Sequence, residues 1–384
     1  MLYRTASFIA SGRIWSNSLQ ASSDGSAARE AFAFRTASGK WGFIDAKGEV
    51  VIPARYQGAK DFVGGLARVE TADTAAVIDL KGNHRFTFAK TVRAMPAGTN
   101  RVWREARVTW RSGGWHEHWE LLDGDGRRVV PPTYSDVRSF AGGRAAVNIG
   151  AVQMLGGLMG GSWGFIDESG AVSVPIEYED IRDFSEGLAL ARHREATRYV
   201  DPLGELALDL GKLASGFAND FREGLASVVE YPRGVAGPAR TRFIDKSGKS
   251  VLWVEGRADG FREGLSVVDH GVLGSGSTFG FIDRQGRSAF QAYFAEARSF
   301  SEGLAAATPQ RSVAHRGERL WGYVDRTGTF RIPPAYNEAH PFQGGVAKVH
   351  VGGTWVQVSD APSSWNGGEW WLIDHQGKRL ALCD

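Results

Sequence analysis

Most markers of a functional class are scarce in this sequence. Cys383 is the one cysteine in 384 residues, so no intramolecular disulfide can form and an oxidising compartment is not required. No apolar run approaches the roughly 20 residues of a membrane helix. The opening stretch MLYRTASFIASGRIW is interrupted at Arg4 and Arg13, which makes it a poor secretory signal. The expectation is a cytoplasmic protein with no membrane insertion. Charge is balanced, with 45 basic against 43 acidic residues and a net charge of +2. The basic excess that marks a nucleic-acid partner is missing. Catalytic signatures are scarce too: there is no His-Glu-x-x-His and no Gly-x-x-x-x-Gly-Lys. The glycine-rich run Gly271–Ser277 precedes a strand, so it lacks the helix terminus that would hold a phosphate. These absences point away from an enzyme and from any metal or cofactor.

Glycine and tryptophan, by contrast, are abundant, at 50 and 13 residues. Many glycines suit short strands joined by tight turns. One frame, Asp-x-x-Gly, recurs nine times at intervals of 34 to 49 residues: Asp45–Gly48, Asp79–Gly82, Asp123–Gly126, Asp167–Gly170, Asp201–Gly204, Asp245–Gly248, Asp283–Gly286, Asp325–Gly328 and Asp374–Gly377. Asp at the first position of a turn accepts a hydrogen bond from the backbone two residues on, and Gly at the fourth supplies a left-handed conformation. The frame therefore reads as a β-turn, with Asp45, Gly48, Asp167, Gly170, Asp283, Gly286, Asp325 and Gly328 as its clearest structural residues. An acid retained in every copy serves folding; an active site would need only one or two.

A short apolar strand precedes each turn, in its fullest form Trp-Gly-Phe-Ile, at Trp41–Ile44 and Trp163–Ile166. Trp and Phe share one face, Gly and Ile the other. With both faces apolar, the strand needs a packed sheet on each side. The Gly after Trp is expected to admit a bulky side chain from the next sheet. A second strand follows the turn and ends at proline in several copies, as at Pro53, Pro131, Pro175 and Pro333. Next comes a trio spaced by three, such as Tyr56, Ala59, Phe62, which suits one helical turn. Three residues beyond each Phe a Gly, such as Gly65, opens a third strand.

Gly39 to Val69 resembles the WG (KWG) repeat of bacterial proteins nearly residue for residue: Gly-Lys-Trp-Gly-Phe-Ile-Asp-x-x-Gly, Ile-Pro, then Tyr-x-x-Ala-x-x-Phe-x-x-Gly-Leu-Ala-x-Val. Other copies depart from it: Ala75-Ala76-Val77 in the second, Trp119-Glu120 in the third, Thr197-Arg198 and Thr241-Arg242 in the fifth and sixth. The resemblance implies a bacterial, non-catalytic interaction protein and brings no catalytic residues. The expected architecture is all-β: nine tandem three-stranded meanders over 31–384, forming a β-propeller-like ring, or alternatively an open superhelical solenoid. Residues 1–30 are expected to be a cap or closing segment.

The hairpin between the third strand and the Trp strand varies most in length, and such loops gather on one side of a repeat scaffold. It is long at 106–118, 150–162, 231–240, 270–278, 308–319 and 352–369. Three of these hairpins carry candidate binding residues: Trp110 and Trp115, Met154, Leu155, Leu158 and Met159, and Trp355 and Trp365. Flexible apolar side chains suit adaptable contacts, and tryptophans suit anchors. His116 and His118 lie on one strand face, as metal ligands do, but no third ligand is near in sequence. The reading is a monomeric protein-binding scaffold, a bacterial adaptor or toxin/effector neutraliser. The alternatives are a glycan or small-molecule receptor, or a propeller-type hydrolase or lyase.

Overall fold

The computed structural model describes residues 31–109, 115–154, 157–213, 216–232, 238–271, 278–310, 320–356 and 364–383. Among them every regular element is a β-strand, and the strands form nine antiparallel blades in chain order. Blade two shows the plan: a two-residue inner strand Gly58–Ala59, then Leu66–Glu70, then the Trp-type strand Thr74–Asp79, then the outer strand His84–Ala89. The segment that crosses from one blade to the next thus supplies a fourth, innermost strand. Tyr56 and Ala59 accordingly lie in strands and Phe62 in the irregular stretch beyond, not on the helical turn that their spacing suggests. Seven of the nine blades are four-stranded in this way; among the described residues blades one and seven show three strands each, and the Trp-type strand of blade seven, Phe279–Ile282, pairs with the inner strand Phe294–Ala297 of blade eight.

The ring is closed. Nine apolar clusters hold consecutive blades together, the first joining Trp41 and Phe43 of blade one to Phe62 and Val69 of blade two. The ninth joins blade nine to blade one through Ile44, Val346, Leu372 and Cys383. An open solenoid would leave those two surfaces bare. The last strand, Arg379–Cys383, is outermost in blade nine and also pairs at Leu382 with Arg35 of blade one. The two apolar faces of the Trp strand therefore serve two neighbours: Phe43 packs toward blade two and Ile44 toward blade nine.

All nine Asp-x-x-Gly frames form the same turn. In the first, Asp45 Oδ1 accepts from Lys47 N and Glu49 N, both at 2.9 Å, and Gly48 is left-handed at φ 83°. Asp167, Asp283 and Asp325 repeat this geometry with Gly170, Gly286 and Gly328.

The glycine after Trp has a different purpose from the expected one. A β-carbon on Gly42 would lie 2.6 Å from the Ile52 carbonyl oxygen and 2.7 Å from Ala54 N. It is the backbone of its own outer strand that crowds it, not a side chain from the next sheet. The cause is a bulge: Trp41 pairs with Tyr56 but Phe43 with Ile52, so the outer strand carries extra residues, Pro53 among them. Gly164 with Pro175 and Gly322 with Pro333 repeat this. Proline does not end these strands, which run on to Tyr56, Tyr178 and Tyr336. It sits in the bulge of an edge strand, where its missing N–H costs no ladder bond.

A second device links blades five to nine. Glu186, Glu223, Glu263 and Glu302 stand left-handed at φ 51–54° in the turns before the second strands. Each carboxylate accepts from the turn glycine of the next blade, Gly224, Gly264, Gly303 and Gly345, at 2.9–3.0 Å. Lys246, Arg284, Arg326 and His375 approach the same four carboxylates. Blades two, four and nine have Gly64, Gly142 and Gly344 at that position.

Candidate interaction face

Strands alternate in direction within a blade, so the Asp-x-x-Gly turns and the turns after the inner strands share one face of the ring. The hairpins between second and Trp strands share the other. Three of the six elongated segments on that face are, over their described residues, paired strands. In blade three 106–109 and 115–118 lie within the paired strands Arg101–Thr109 and Trp115–Asp123. In blade four Arg144–Met154 pairs with Gly157–Asp167, and in blade nine Thr354–Val356 pairs with Ser364–Asn366 as a separate ribbon. Three hairpins are thus projecting arms. Much of the corresponding segments in blades six to eight lies outside the described residues.

The arms of blades four and nine share one hinge. In blade four, Asn148 faces Trp163 across the ladder, and above it Gly150, Gly160 and Gly161 are all left-handed. The fully buried Asn148 takes the Ala151 N–H on Oδ1 at 3.1 Å and donates Nδ2 to the Gly160 carbonyl at 3.3 Å. Ser135 Oγ accepts from Gly150 N. In blade nine, His350 faces Trp370, and Gly352, Gly353, Gly367 and Gly368 are left-handed. Asn337 Oδ1 accepts from Gly352 N at 2.6 Å, in the place of Ser135.

Beyond their hinges the two arms differ. Residues 145–166 of blade four contain no charge and no proline. Val152 and Met159 pair across the arm and are 59% and 58% exposed, and Ile149 below them is 44% exposed. Leu158 is half-buried. The blade nine arm is held down instead: Trp365 stacks on His350 with ring centroids 4.7 Å apart, and its Nε1 donates to Glu338 of the inner strand at 3.0 Å. Trp365 is therefore engaged within the chain. Trp110 and Leu155 lie outside the described residues, as do the side chains of Trp115, Met154 and Trp355. The sequence candidates are not brought to one spot: blades four and nine stand four blades apart one way and five the other.

In blade three His116 and His118 touch, with centroids 4.1 Å apart, and burial and then the His116 neighbour push the His118 pKa down. No third metal-ligating residue joins them among the described residues. At the Gly position of this blade stands Glu120, buried and paired with Arg104 and Arg128. Sequence reasoning missed the hinge residues Asn148, Ser135, Asn337 and His350. The one available signal was the glycine doublets at Gly160-Gly161, Gly352-Gly353 and Gly367-Gly368. Between blades five and six, a cleft of about 490 Å³ opens beside the short Arg194-Glu195 turn, lined by Arg182, Arg192, Glu195, Lys212, Leu213 and Phe217. No helix in the described residues is long and apolar enough to cross a membrane.

The chain carries the WG containing repeat in five segments, residues 41–73, 121–151, 163–195, 279–308 and 321–355. The segments of blades one, four, seven and eight begin at the Trp strand, and each runs into the second strand of the blade that follows, so the sequence repeat straddles two blades. No curated protein matches the chain in sequence. Among solved structures, a eukaryotic initiation factor is similar with a TM-score of 0.58 at 10% identity, over 92% of this chain and 96% of that one. BamB from Moraxella catarrhalis overlays at 0.33 with 11% identity, over 62% of this chain and 78% of its own. A quinohemoprotein alcohol dehydrogenase from Comamonas testosteroni overlays at 0.35 with 12% identity, over 85% and 67%. The likeness to the initiation factor spans nearly the whole of both chains and speaks to the fold.

Proposed function

We propose that this WG-repeat ring is a non-catalytic scaffold that binds another protein on its hairpin face, with the blade four arm as the main contact. The observation that carries this is the arm's surface: exposed Ile149, Val152 and Met159 on a projecting ribbon without a single charge. Edge strands that face only water are normally guarded by charge or proline. The neighbouring blade three hairpin shows that guard, with Arg104, Glu105, Arg107 and Glu117. An unguarded apolar ribbon suits a partner that covers it. The small-molecule reading would rest on the cleft between blades five and six. There Glu179 already pairs with Arg192 and Glu195 with Lys212, while Asp180 and Arg182 pair with Arg138 and Asp220 beyond the cleft, so its charges are already engaged.

A photo-crosslinking residue at position 152, compared with one at Val251, tests the scaffold reading. Val251 is 55% exposed on an outer strand and serves as the control. A defined protein adduct from position 152 alone supports the reading. No adduct at 152, or equal adducts from both positions, overturns it.

A further inference from the structure

The hinge of blade nine differs from that of blade four in one chemical respect: its buried pin can titrate. His350 is 1% exposed and lies between Trp365, stacked at 4.7 Å, and Trp370, edge-on at 4.8 Å. A β-carbon on Gly368 would sit 2.5 Å from His350 Cε1, so the imidazole rests directly on the hinge backbone. Its Nδ1 is buried with no hydrogen-bond partner among the described residues. Asn148 at the equivalent place in blade four has no proton to gain. Around these hinges, four left-handed glycines in blade nine and three in blade four give backbone that turns at little steric cost.

From this we infer that the described blade nine ribbon, Thr354–Val356 paired with Ser364–Asn366, is a pH-operated cover: seated on the inner strand while His350 is neutral, and released when His350 is protonated. The latch is the Trp365 Nε1–Glu338 bond together with the Trp365–His350 stack. Release would free Glu338 at the inner edge of the ring and bare the faces of Trp365 and Trp370. This inference does not depend on whether the arms bind a partner.

Charged and titratable groups face the pin from every packed side. Burial lowers the His350 pKa, while a hydrogen bond with the Gly367 backbone and the Glu338 carboxylate oppose the fall. His340, 5.5 Å from Trp370, is lowered by burial first and then by Arg298, and Lys348 also contributes. Arg298 and His340 both approach Glu338, and Lys348 lies over Trp370. The sign follows from linkage. A seated His350 with a depressed pKa favours the seated arm above the ordinary imidazole value of 6.5. As pH falls below that value the preference is lost, because only the released ring can take the proton freely.

The test follows Trp365 emission, read as wild type minus Trp365→Phe, between pH 8 and pH 5, with far-UV circular dichroism as the control for global unfolding. The expected result is a reversible red shift with its midpoint below 6.5 and an unchanged far-UV spectrum. His350→Asn, which copies blade four, should remove the transition, and His350→Gln serves if the Asn variant does not fold. An emission flat over this range in the wild type overturns the inference. So does the same shift in a folded variant without His350.

Discussion

The arms of blades four and nine are built alike up to the hinge and then diverge. Both have a buried polar residue opposite the Trp of the strand, both have left-handed glycines above it, and both have a side-chain oxygen from the crossing segment capping a glycine N–H. One arm ends in exposed aliphatic side chains, while the other folds back and hydrogen-bonds its tryptophan to the inner strand. The same backbone device therefore carries opposite outcomes, and short stretches of side chains decide between them. The lesson extends to the blades. Where the Trp strand has Gly, as at Gly42, Gly164 and Gly322, the outer strand bulges over it. Where Ala76, Arg198 or Arg242 stands instead, the ladder opposite is regular, with Ala76 facing Thr87 and Arg242 facing Trp253. These departures from the motif come as matched changes in two strands, whereas blade three keeps the bulge beneath Glu120, with Trp119 facing Tyr134 and Leu121 facing Val130.

The largest expected effect would break the distinction between bulged and regular blades. Gly42→Ala drives a β-carbon into the bulge backbone and should destabilise by about 3 kcal/mol or more, whereas Ala76→Gly in the regular blade two should cost only about 1 kcal/mol. Equal denaturant midpoints for the two variants would show that the bulge does not need the glycine.

Core truncations come next. Trp41 is 7% exposed and Phe43 is fully buried, so Trp41→Ala and Phe43→Ala should each cost about 3–5 kcal/mol. Trp163 is half-buried beneath Arg138, whose guanidinium lies 4.6 Å from its ring, and should cost less. A Trp163→Ala loss as large as that of Phe43→Ala would contradict this ordering.

At the hinge, Asn148→Ala strands the Ala151 N–H and the Gly160 carbonyl and should cost roughly 1–3 kcal/mol, equally at pH 8 and pH 5. Any pH dependence of that loss would remove the contrast with His350. The smallest effect is expected at the arm tip: Val152→Ser with Met159→Ser should shift stability by no more than about 0.5 kcal/mol while reducing partner crosslinking. A marked drop in melting temperature would mean that these side chains pack against the ring.

A last prediction concerns the turns. Side-chain hydrogen bonding from Thr327, with further donors from the Thr327 and Thr329 backbones and Arg331, holds Asp325 at about 2. Its contribution is complete above the ordinary carboxylate value of 3.8 and fades as pH falls through about 2. Asp325→Asn should flatten the acid limb of the stability profile. A limb identical to wild type would assign acid unfolding to other carboxylates.

Local sequence by itself determined the strands, the nine turns and the repeat. A turn needs only its own Asp and Gly, and a strand with two apolar faces, such as Trp41–Ile44, announces that sheets pack on both sides. The inner strand escaped because Tyr56, Ala59 and Phe62 recur every three residues, a spacing that imitates a helical turn. The F-x-E-G signal at Glu186, Glu223, Glu263 and Glu302 was present in the text, but nothing local says that its carboxylate reaches the next blade. Only the tertiary structure decided that the array closes, because closure depends on Leu382 of the ninth blade meeting Arg35 of the first after the rotation accumulated over every blade between them. The structure likewise seated Trp365 on its own ring and left Val152 and Met159 in water. The first outcome hangs on Glu338, 27 residues away, and the second on the lack of any covering side chain among the described residues.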